Sequence, residues 1–325
     1  MQGKIAVEEH FRIEETTGSE SRYPGSYWSG LSAKLLDIHG ARLAEMDKTG
    51  IEIEVISLNS NAVQGIPDTA KAIEVARRAN DALAQAVAKR PDRFAGLAAL
   101  PMQDPQAAAA ELTRCVRDLK FKGALVNGFS QVGSTDTAVY YDLPQYRLFW
   151  AEVERLGVPL YLHPRDQLPS RRQAYEGHPW LIGSPWGFAD ETALHALRLM
   201  GCGLFDEFPA LQIVIGHLGE RIPFDLWRLD HRLDKVPNRP AKRSMTEYFR
   251  NNFHITTSGN FCTQSLVHAI LTIGADRVLF AVDYPFEDHA HGCSWFDAAE
   301  IAEADRIKTA GQIRAGCLVL ADRLS

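Results

Sequence analysis

Short apolar runs alternate with helix-like stretches about eight times along this chain, and this alternation most constrains its fold. Most of the apolar runs have no polar alternation, which is typical of parallel strands buried on both faces. The runs are KIAVEEHF, EVISLN, FAGLAAL, GALVNG, VPLYLH, LQIVIGH, FHITTS and VLFAVD, at residues 4–11, 54–59, 94–100, 123–128, 158–163, 211–217, 253–258 and 278–283. Strand and helix repeated in this way predict a (β/α)₈ TIM barrel.

The helix-like stretches carry apolar stripes. Within residues 68–90, Ile73, Ala76 and Ala79 begin a series spaced three or four apart, as on one face of a helix. Further helices are predicted at 105–119, 144–156, 190–205, 221–233, 262–273 and 296–310. An open doubly wound sheet is the alternative, but no G-x-G-x-x-G follows the first strand. We expect one domain over residues 1–325, with long loop insertions at 14–34 and 164–189 that act as lids or oligomer contacts.

Charge and cysteine content narrow the class of protein. The net charge is −6 without a long run of one sign, which argues against nucleic acid or an anionic membrane as a partner. The chain has neither the basic and apolar segments of a signal peptide nor an uncharged apolar window of membrane-spanning length. Its five cysteines are scattered and never spaced C-x-x-C, so reduced thiols and a cytoplasmic location are expected.

Metal-ligand side chains recur where the predicted strands end. The carboxyl ends of barrel strands share one rim, and that rim carries the active site. A single histidine at a strand end is more often a capping or surface residue, but here several ligand types converge, which indicates a metal ion. Glu9 should alternate to the opposite face and is not expected to be a ligand. The converging residues are Glu8, His10, Asn127, His163, His217 and Asp283.

Several motifs resemble the amidohydrolase superfamily, and within it the metal-dependent nonoxidative aromatic acid decarboxylases. These motifs are EEHF at 8–11, YLHPR at 161–165, IGHLGE at 215–220, HITTSGNF at 254–261 and DYPFE at 283–287. The stretches PDRF, KGALVNGFSQ, YYDLPQY and GHPWL extend the similarity to those members that act on 2,6-dihydroxybenzoate (γ-resorcylate). The resemblance runs from residue 1 to about 310.

The resemblance implies a role for each matching position. It makes Glu8, His10, His163 and Asp283 the metal ligands, and turns His217 and Glu220 toward the substrate. It makes Arg228 the residue that steadies the acidic groups of the substrate, and Tyr23, Phe188 and Phe286 the wall around the ring. The implied cofactor is one Zn²⁺ or Mn²⁺ per subunit, with Mg²⁺ as a further option, in a homotetramer or dimer.

The chain departs from the wider superfamily in two places. Its first strand carries Glu8-x-His10 where hydrolase relatives carry H-x-H, and Asn127 stands near the position of their bridging ligand. One metal ion is therefore expected instead of two. The tail at 311–325 also differs from relatives, so the packing of the last helix is not predicted.

The implied reaction is the reversible decarboxylation of an ortho-hydroxybenzoate, in this case 2,6-dihydroxybenzoate, to resorcinol and CO₂. Direct loss of CO₂ would leave an aryl carbanion in the ring plane, so the ring carbon must be protonated first. A metal that binds the carboxylate and the ortho oxygen orients the ring and acidifies the phenol. The resemblance makes Asp283 the acid, with a proton taken from that phenol, and His217 and Glu220 hold the ring hydroxyls.

Other functions remain open from the residues. The substrate could be 2,3-dihydroxybenzoate, salicylate or an open-chain carboxymuconate semialdehyde. The same barrel could instead carry a metal-dependent hydrolase or lactonase, with Asp283 as the base for a nucleophilic water. A binding or scaffold protein is disfavoured by the full ligand set.

Overall fold

The computed structural model describes residues 1–16 and 25–311. The predicted site residue Tyr23 and the tail at 312–325 lie outside the described residues. The strands are β1 (Lys4–Phe11), β2 (Ile51–Leu58), β3 (Phe94–Gly96), β4 (Ala98–Ala99), β5 (Ala124–Asn127), β6 (Leu160–His163), β7 (Ile213–Ile215), β8 (Phe253–Thr256) and β9 (Val278–Leu279). The α-helices are α1 (Gly25–Leu36), α2 (Ala41–Thr49), α3 (Thr69–Lys89), α4 (Pro105–Arg117), α5 (Arg147–Leu156), α6 (Gly187–Gly201), α7 (Leu204–Glu207), α8 (Ile222–Leu233), α9 (Met245–Asn252), α10 (Thr263–Ile273), α11 (His289–Ala298) and α12 (Glu303–Gly311).

The strands form a closed parallel barrel, as the sequence predicts. They pair in the orders β1-β2-β3 and β4-β5-β6-β7-β8-β9. β3 and β4 are consecutive parts of one barrel position, because the Leu97 amide between them donates to Ile56 O and the Ala98 amide donates to Gly123 O. Closure comes from the segment after β9, where the Asp283 amide donates to Glu8 O at 3.0 Å and the His10 amide donates to Tyr284 O at 2.7 Å.

A β-bulge in β1 decides which of its side chains enter the barrel. Ala6 pairs with Glu54 and Glu9 pairs with Ile56, so β1 has one more residue than β2 in this interval. Below the bulge, Ile5 and Val7 pack in the apolar interior with Val55, Leu97, Leu125, Tyr161, Val214 and Ala281. Above it, alternation resumes one residue later, so Glu8 and His10 face inward while Glu9 and Phe11 face the surrounding helices.

The helices differ from the prediction in several places. The segment 14–34 was expected to be a loop, but α1 begins at Gly25 and buries Leu31 and Leu35. The helices α2 and α9 were not predicted at all. The helix expected at 296–310 is two helices, because the chain turns after Ala298 and the Arg306 guanidinium binds Phe296 O and Ala299 O at the end of α11.

The long connection 164–189 was expected to be irregular, and it contains two short 3₁₀ turns, Pro169–Tyr175 and Pro179–Leu181. Its last residues lead into α6 at the mouth of the barrel. Of the helices among the described residues, none has the length and apolar character that crossing a bilayer requires.

Asn80 fastens α3 to the barrel, and its replacement by alanine should destabilise the protein. Asn80 is buried, donates to Ala99 O at 2.9 Å and accepts from the Ala99 amide at 2.8 Å. Asn80→Ala leaves both groups of β4 unpaired, and each buried polar group without a partner costs about 1–3 kcal/mol. We expect urea unfolding to show a loss of roughly 2–4 kcal/mol in the free energy of unfolding. The control, Asn251→Ala on the exposed face of α9, should change it by less than about 0.5 kcal/mol, and equal losses would mean that the Asn80 hydrogen bonds do not stabilise the fold.

Candidate metal centre and active site

Four ligand-type side chains meet at the carboxyl ends of three barrel strands. Glu8 and His10 come from β1, His163 ends β6, and Asp283 follows β9. One ligand atom from each residue lies within 4.8 Å of those of the other three. The predicted quartet is therefore brought together in one place.

Hydrogen bonds orient both imidazoles of this quartet. The Nδ1 atom of His163 lies 2.8 Å from Asn127 Oδ1 and 2.9 Å from Pro164 O, both of which are acceptors. The Nδ1 atom of His10 lies 3.2 Å from Ser57 Oγ. Such contacts at Nδ1 fix the ring orientation and leave Nε2 free to bind a metal.

Three buried atoms of the quartet test whether these residues fit a metal ion. Glu8 Oε1, His10 Nε2 and Asp283 Oδ1 have no hydrogen-bond partner within residues 1–16 and 25–311. His10 Nε2 lies 3.1 Å from Asp283 Oδ1, and His163 Nε2 lies 3.4 Å from Glu8 Oε1. Buried polar atoms left in this way are costly unless something binds them. A divalent cation satisfies all of them, and the mixed nitrogen and oxygen set suits Zn²⁺ or Mn²⁺.

Side chains of the barrel interior keep Glu8 ionised and orient its carboxylate. Its Oε2 accepts from Tyr161 Oη and, at 2.9 Å, from Thr256 Oγ1, which leaves Oε1 toward the other ligands. Burial acts to raise the pKa of Glu8, but His217, His163 and His10 outweigh it and hold the pKa well below its usual value.

Left-handed backbone conformations concentrate around this centre. The φ angles are +79° at Asp283, +54° at His217 and +50° at Glu220, and Leu218 and Arg221 are also left-handed. Such residues cost of order 1–3 kcal/mol each and persist where the surroundings determine them. The Ser258 hydroxyl accepts from the His217 amide at 3.1 Å and so helps to fix this turn.

His217 and Glu220 form a pair beside the quartet. His217 Nδ1 lies 2.7 Å from Glu220 Oε1, and its Nε2 lies 3.8 Å from both Glu8 Oε1 and Asp283 Oδ2. Burial acts to lower the pKa of His217, but Glu220 and Glu8 raise it well above its usual value. Burial acts to raise the pKa of Asp283, and His10 and His217 bring it below its usual value.

A cavity of about 680 Å³ opens above these groups. Asp283, His217 and Glu220 lie in its wall together with Phe188, one of the three predicted wall residues. The Phe286 ring packs edge-on against His10 with ring centroids 5.7 Å apart, so it borders the ligands from the side.

Arg228 lies elsewhere. It is exposed on α8 and is not among the residues that line the cavity. The arginine in the cavity wall is Arg221, whose guanidinium lies 3.8 Å above the Trp186 ring.

Several contributors were not predicted. Tyr161 lies two residues before His163 and so shares its inward face, a signal that alternation along β6 could have given. Thr256, the last residue of β8, and Ser258, two residues later, are related in the same way. Behind β1 a second buried group contains Glu9, Glu54 and His289, whose pairing no local pattern in the sequence reveals.

This second group is an ion cluster balanced by protein cations. Arg42 Nη1 lies 3.0 Å from Glu54 Oε2, and His289 Nε2 lies 2.9 Å from Glu54 Oε1. Burial acts to lower the pKa of His289, but Glu54 and Glu9 raise it to about 9. Burial and the neighbouring Glu54 raise the pKa of Glu9 to about 7, so the guanidinium of Arg42 and the His289 ring balance this group without a metal ion.

Comparisons with known proteins agree with this architecture. Gamma-resorcylate decarboxylase of Rhizobium sp. (strain MTP-10005) is 61% identical over 312 residues, which is 95% of each chain. The crystal structure of 2,6-dihydroxybenzoate decarboxylase complexed with 2,6-dihydroxybenzoate is 60% identical, with a TM-score of 0.94 over 96% of this chain and 97% of that one. A dihydroxybenzoic acid decarboxylase from Polaromonas sp. JS666, solved with bound manganese and the inhibitor 2-nitroresorcinol, is 55% identical, with a TM-score of 0.93 over 96% and 95% of the two chains. Residues 34–312 match the amidohydrolase family model, and the chain belongs to that family.

Proposed function

We propose that this chain is a metal-dependent carboxy-lyase that converts 2,6-dihydroxybenzoate to resorcinol and CO₂. The observation that carries the proposal is the quartet of Glu8, His10, His163 and Asp283, whose ligand atoms lie within 4.8 Å of one another and of which Asp283 lines the cavity. The identity of 61% to a gamma-resorcylate decarboxylase supports this substrate over the other hydroxybenzoates.

The quartet would hold one divalent cation. The chemistry that such a cation supplies is positive charge for the substrate carboxylate and the adjacent phenolate oxygen, which orients the ring and lowers the phenol pKa. Asn127 and Ser57 keep the two histidine ligands in place, and Tyr161 does the same for Glu8.

Asp283 is the proposed acid. Its Oδ2 lies at the cavity wall, 3.8 Å from His217 Nε2, and its lowered pKa means that it is ionised before substrate binds. It therefore takes the proton of the substrate phenol and delivers it to the ring carbon that bears the carboxylate. A C–H bond forms, the bond to the carboxylate breaks and CO₂ leaves, after which the ring is aromatic again.

The remaining side chains fix the ring. His217 donates toward an oxygen on the ring, and Glu220 holds His217 in position through its 2.7 Å contact. Phe188 in the cavity wall bounds the ring with apolar surface and keeps bulk water from the site, while Phe286 packs against the ligand His10. A substrate with a hydroxyl on each side of the carboxylate gives one oxygen to the quartet and the other to His217.

The function predicts metal-dependent release of CO₂ from 2,6-dihydroxybenzoate. Protein stripped by chelation should be inactive, and one equivalent of Mn²⁺ or Zn²⁺ per chain should restore activity. Salicylate and 2,3-dihydroxybenzoate should react more slowly, because each lacks the second ortho hydroxyl that His217 would bind.

High bicarbonate should drive carboxylation of resorcinol at the carbon between its two hydroxyls. Full activity without metal, or faster hydrolysis of an aryl ester or lactone, would contradict the proposal.

Two variants separate the ligand role of Asp283 from its acid role. Asp283→Asn keeps an oxygen ligand but has no acidic proton, so we expect metal content to persist and kcat to fall by about 10²- to 10⁴-fold. His163→Ala removes a nitrogen ligand and should lose both metal and activity. Metal content and kcat are measured on the same preparations, with Asp276→Asn on the exposed surface as the control. Near-parental kcat in a metal-loaded Asp283→Asn protein would assign the proton to another group.

We also propose that the protein is a homo-oligomer, supported by an exposed apolar face on α8 and α10. Trp227 and Leu271 are 74% and 78% exposed, and Phe224 is 79% exposed. Large apolar side chains grouped in this way mark interaction surfaces.

A cytoplasmic location is supported by the free thiols of the four cysteines within the described residues.

Light scattering tests the proposed oligomer. The parent protein should have a multiple of the 36.2 kDa chain mass, and the double variant Trp227→Asp/Leu271→Asp should shift toward that single-chain mass. Leu148→Asp, at an exposed leucine on α5, is the control and should leave the mass unchanged. A parent protein of 36.2 kDa in solution would rule the proposal out.

A further inference from the structure

Glu9 lies between the proposed ligands Glu8 and His10 on β1, but its carboxyl group binds the neighbouring segment after β9. Its Oε1 accepts from the Val282 amide and its Oε2 from the Tyr284 amide, each at 2.8 Å. These two hydrogen bonds, here called the Glu9 bridge, hold the amide groups of the residues before and after Asp283. The Asp283 amide between them donates to Glu8 O at 3.0 Å. Three consecutive amides of this segment are thus fixed by β1.

The Glu9 bridge acts on Asp283, whose backbone conformation is unfavourable without stabilising contacts. Asp283 has φ of +79°, a conformation that non-glycine residues adopt only when their surroundings impose it. The same residue supplies a ligand atom and the proposed proton, so a small rotation of its backbone would misplace both. Glu9 is fully buried, and so no water competes for the two amides.

The second buried group holds Glu9 in turn. His289 Nε2 lies 3.8 Å from Glu9 Oε2, and the His289 ring stacks on Tyr284 with centroids 4.2 Å apart. The Arg42 guanidinium lies 4.7 Å from the centroid of the same tyrosine ring and donates to His10 O. Glu9, His289 and Arg42 therefore form a continuous set of contacts from α2 and α11 to the backbone around Asp283.

We propose that Glu9 is a positioning residue for Asp283, and that the Glu9 bridge sets both the affinity of the quartet for its cation and the placement of the Asp283 carboxylate. This deepens the proposed function, and it rests on that function only for the effect on turnover. The bridge requires two acceptor oxygens, and a carboxyl group has them whether or not it is protonated. A glutamine has one acceptor and an NH₂ group that would face an amide N–H.

The experiment compares Glu9→Gln with Asp206→Asn. Both variants remove a carboxylate that accepts from a backbone amide, but Asp206 accepts from the Lys242 amide at 3.0 Å and from Tyr248 Oη at 2.7 Å, outside both buried groups. Mn²⁺ dissociation constants are measured without substrate, by competition with a chelator and by the Mn²⁺ electron paramagnetic resonance spectrum. Values of kcat and KM for 2,6-dihydroxybenzoate follow at saturating Mn²⁺.

We expect Glu9→Gln to weaken Mn²⁺ binding by about 10- to 100-fold and to change the spectrum of the bound ion, as loss of a supporting contact around a metal site does. At saturating metal, kcat should fall by a similar factor while KM changes less. Asp206→Asn should stay within about threefold of the parent in Mn²⁺ affinity and kcat, whatever its thermal stability. A third variant, Glu9→Asp, keeps the charge but is too short to reach both amides, and it decides the matter if Glu9→Gln does not fold.

Parental Mn²⁺ affinity and spectrum in folded Glu9→Gln, or in Glu9→Asp if the former does not fold, would overturn the inference. Equal losses in Glu9→Gln and Asp206→Asn would also overturn it, since they would indicate a general loss of packing. If the parent protein fails to decarboxylate 2,6-dihydroxybenzoate, the proposed function fails, but the Mn²⁺ affinities still test the bridge.

Discussion

The closure of the barrel between β1 and the segment after β9 is the contact on which the site depends. Glu8 and His10 belong to the first strand, and Asp283 lies more than 270 residues later in the chain. The backbone hydrogen bonds from Asp283 to Glu8 and from His10 to Tyr284 are what bring these ligands together. His163 joins them from β6, across the barrel interior. The metal centre is therefore a property of the closed barrel and does not exist in any single β/α unit.

Charge is organised in two separate buried layers. On the inner side of β1, the carboxylates of Glu8 and Asp283 lie among the rings of three histidines. On the outer side, Glu54 pairs with the permanently charged guanidinium of Arg42, and burial beside Glu54 raises the pKa of Glu9 to about 7. This guanidinium is why the second layer needs no further cation, whereas the first layer suits one. Successive residues of one strand, Glu8 and Glu9, thus have opposite electrostatic environments.

Much of the fold and the quartet could be predicted because both follow from local patterns. Continuous apolar runs marked the strands, polar residues at their ends marked six candidates, and the family resemblance selected Glu8, His10, His163 and Asp283 among them. The helix α1 was missed because its serine, glycine and aromatic residues are typical of a loop, and its two buried leucines are too few to show a helical apolar pattern. The partners Tyr161 and Thr256 depend on contacts across the barrel, and Arg42 and His289 meet Glu54 only after α2 and α11 have packed. A sequence pattern carries no information on such distant pairs.

The bulge in β1 has a consequence for how this active site can be inherited. Because the extra residue between Ala6 and Glu9 lets Val7 and Glu8 both face inward, the number of residues in this interval matters as well as their identity. Deletion of one residue here would restore strict alternation. The strand could then keep either Ile5 and Val7 or Glu8 and His10 inside the barrel, but not both pairs. Point substitutions change one side chain, whereas a change of length reassigns a whole face of the strand. Lineages that retain this chemistry are therefore constrained to conserve the length of β1 through this interval.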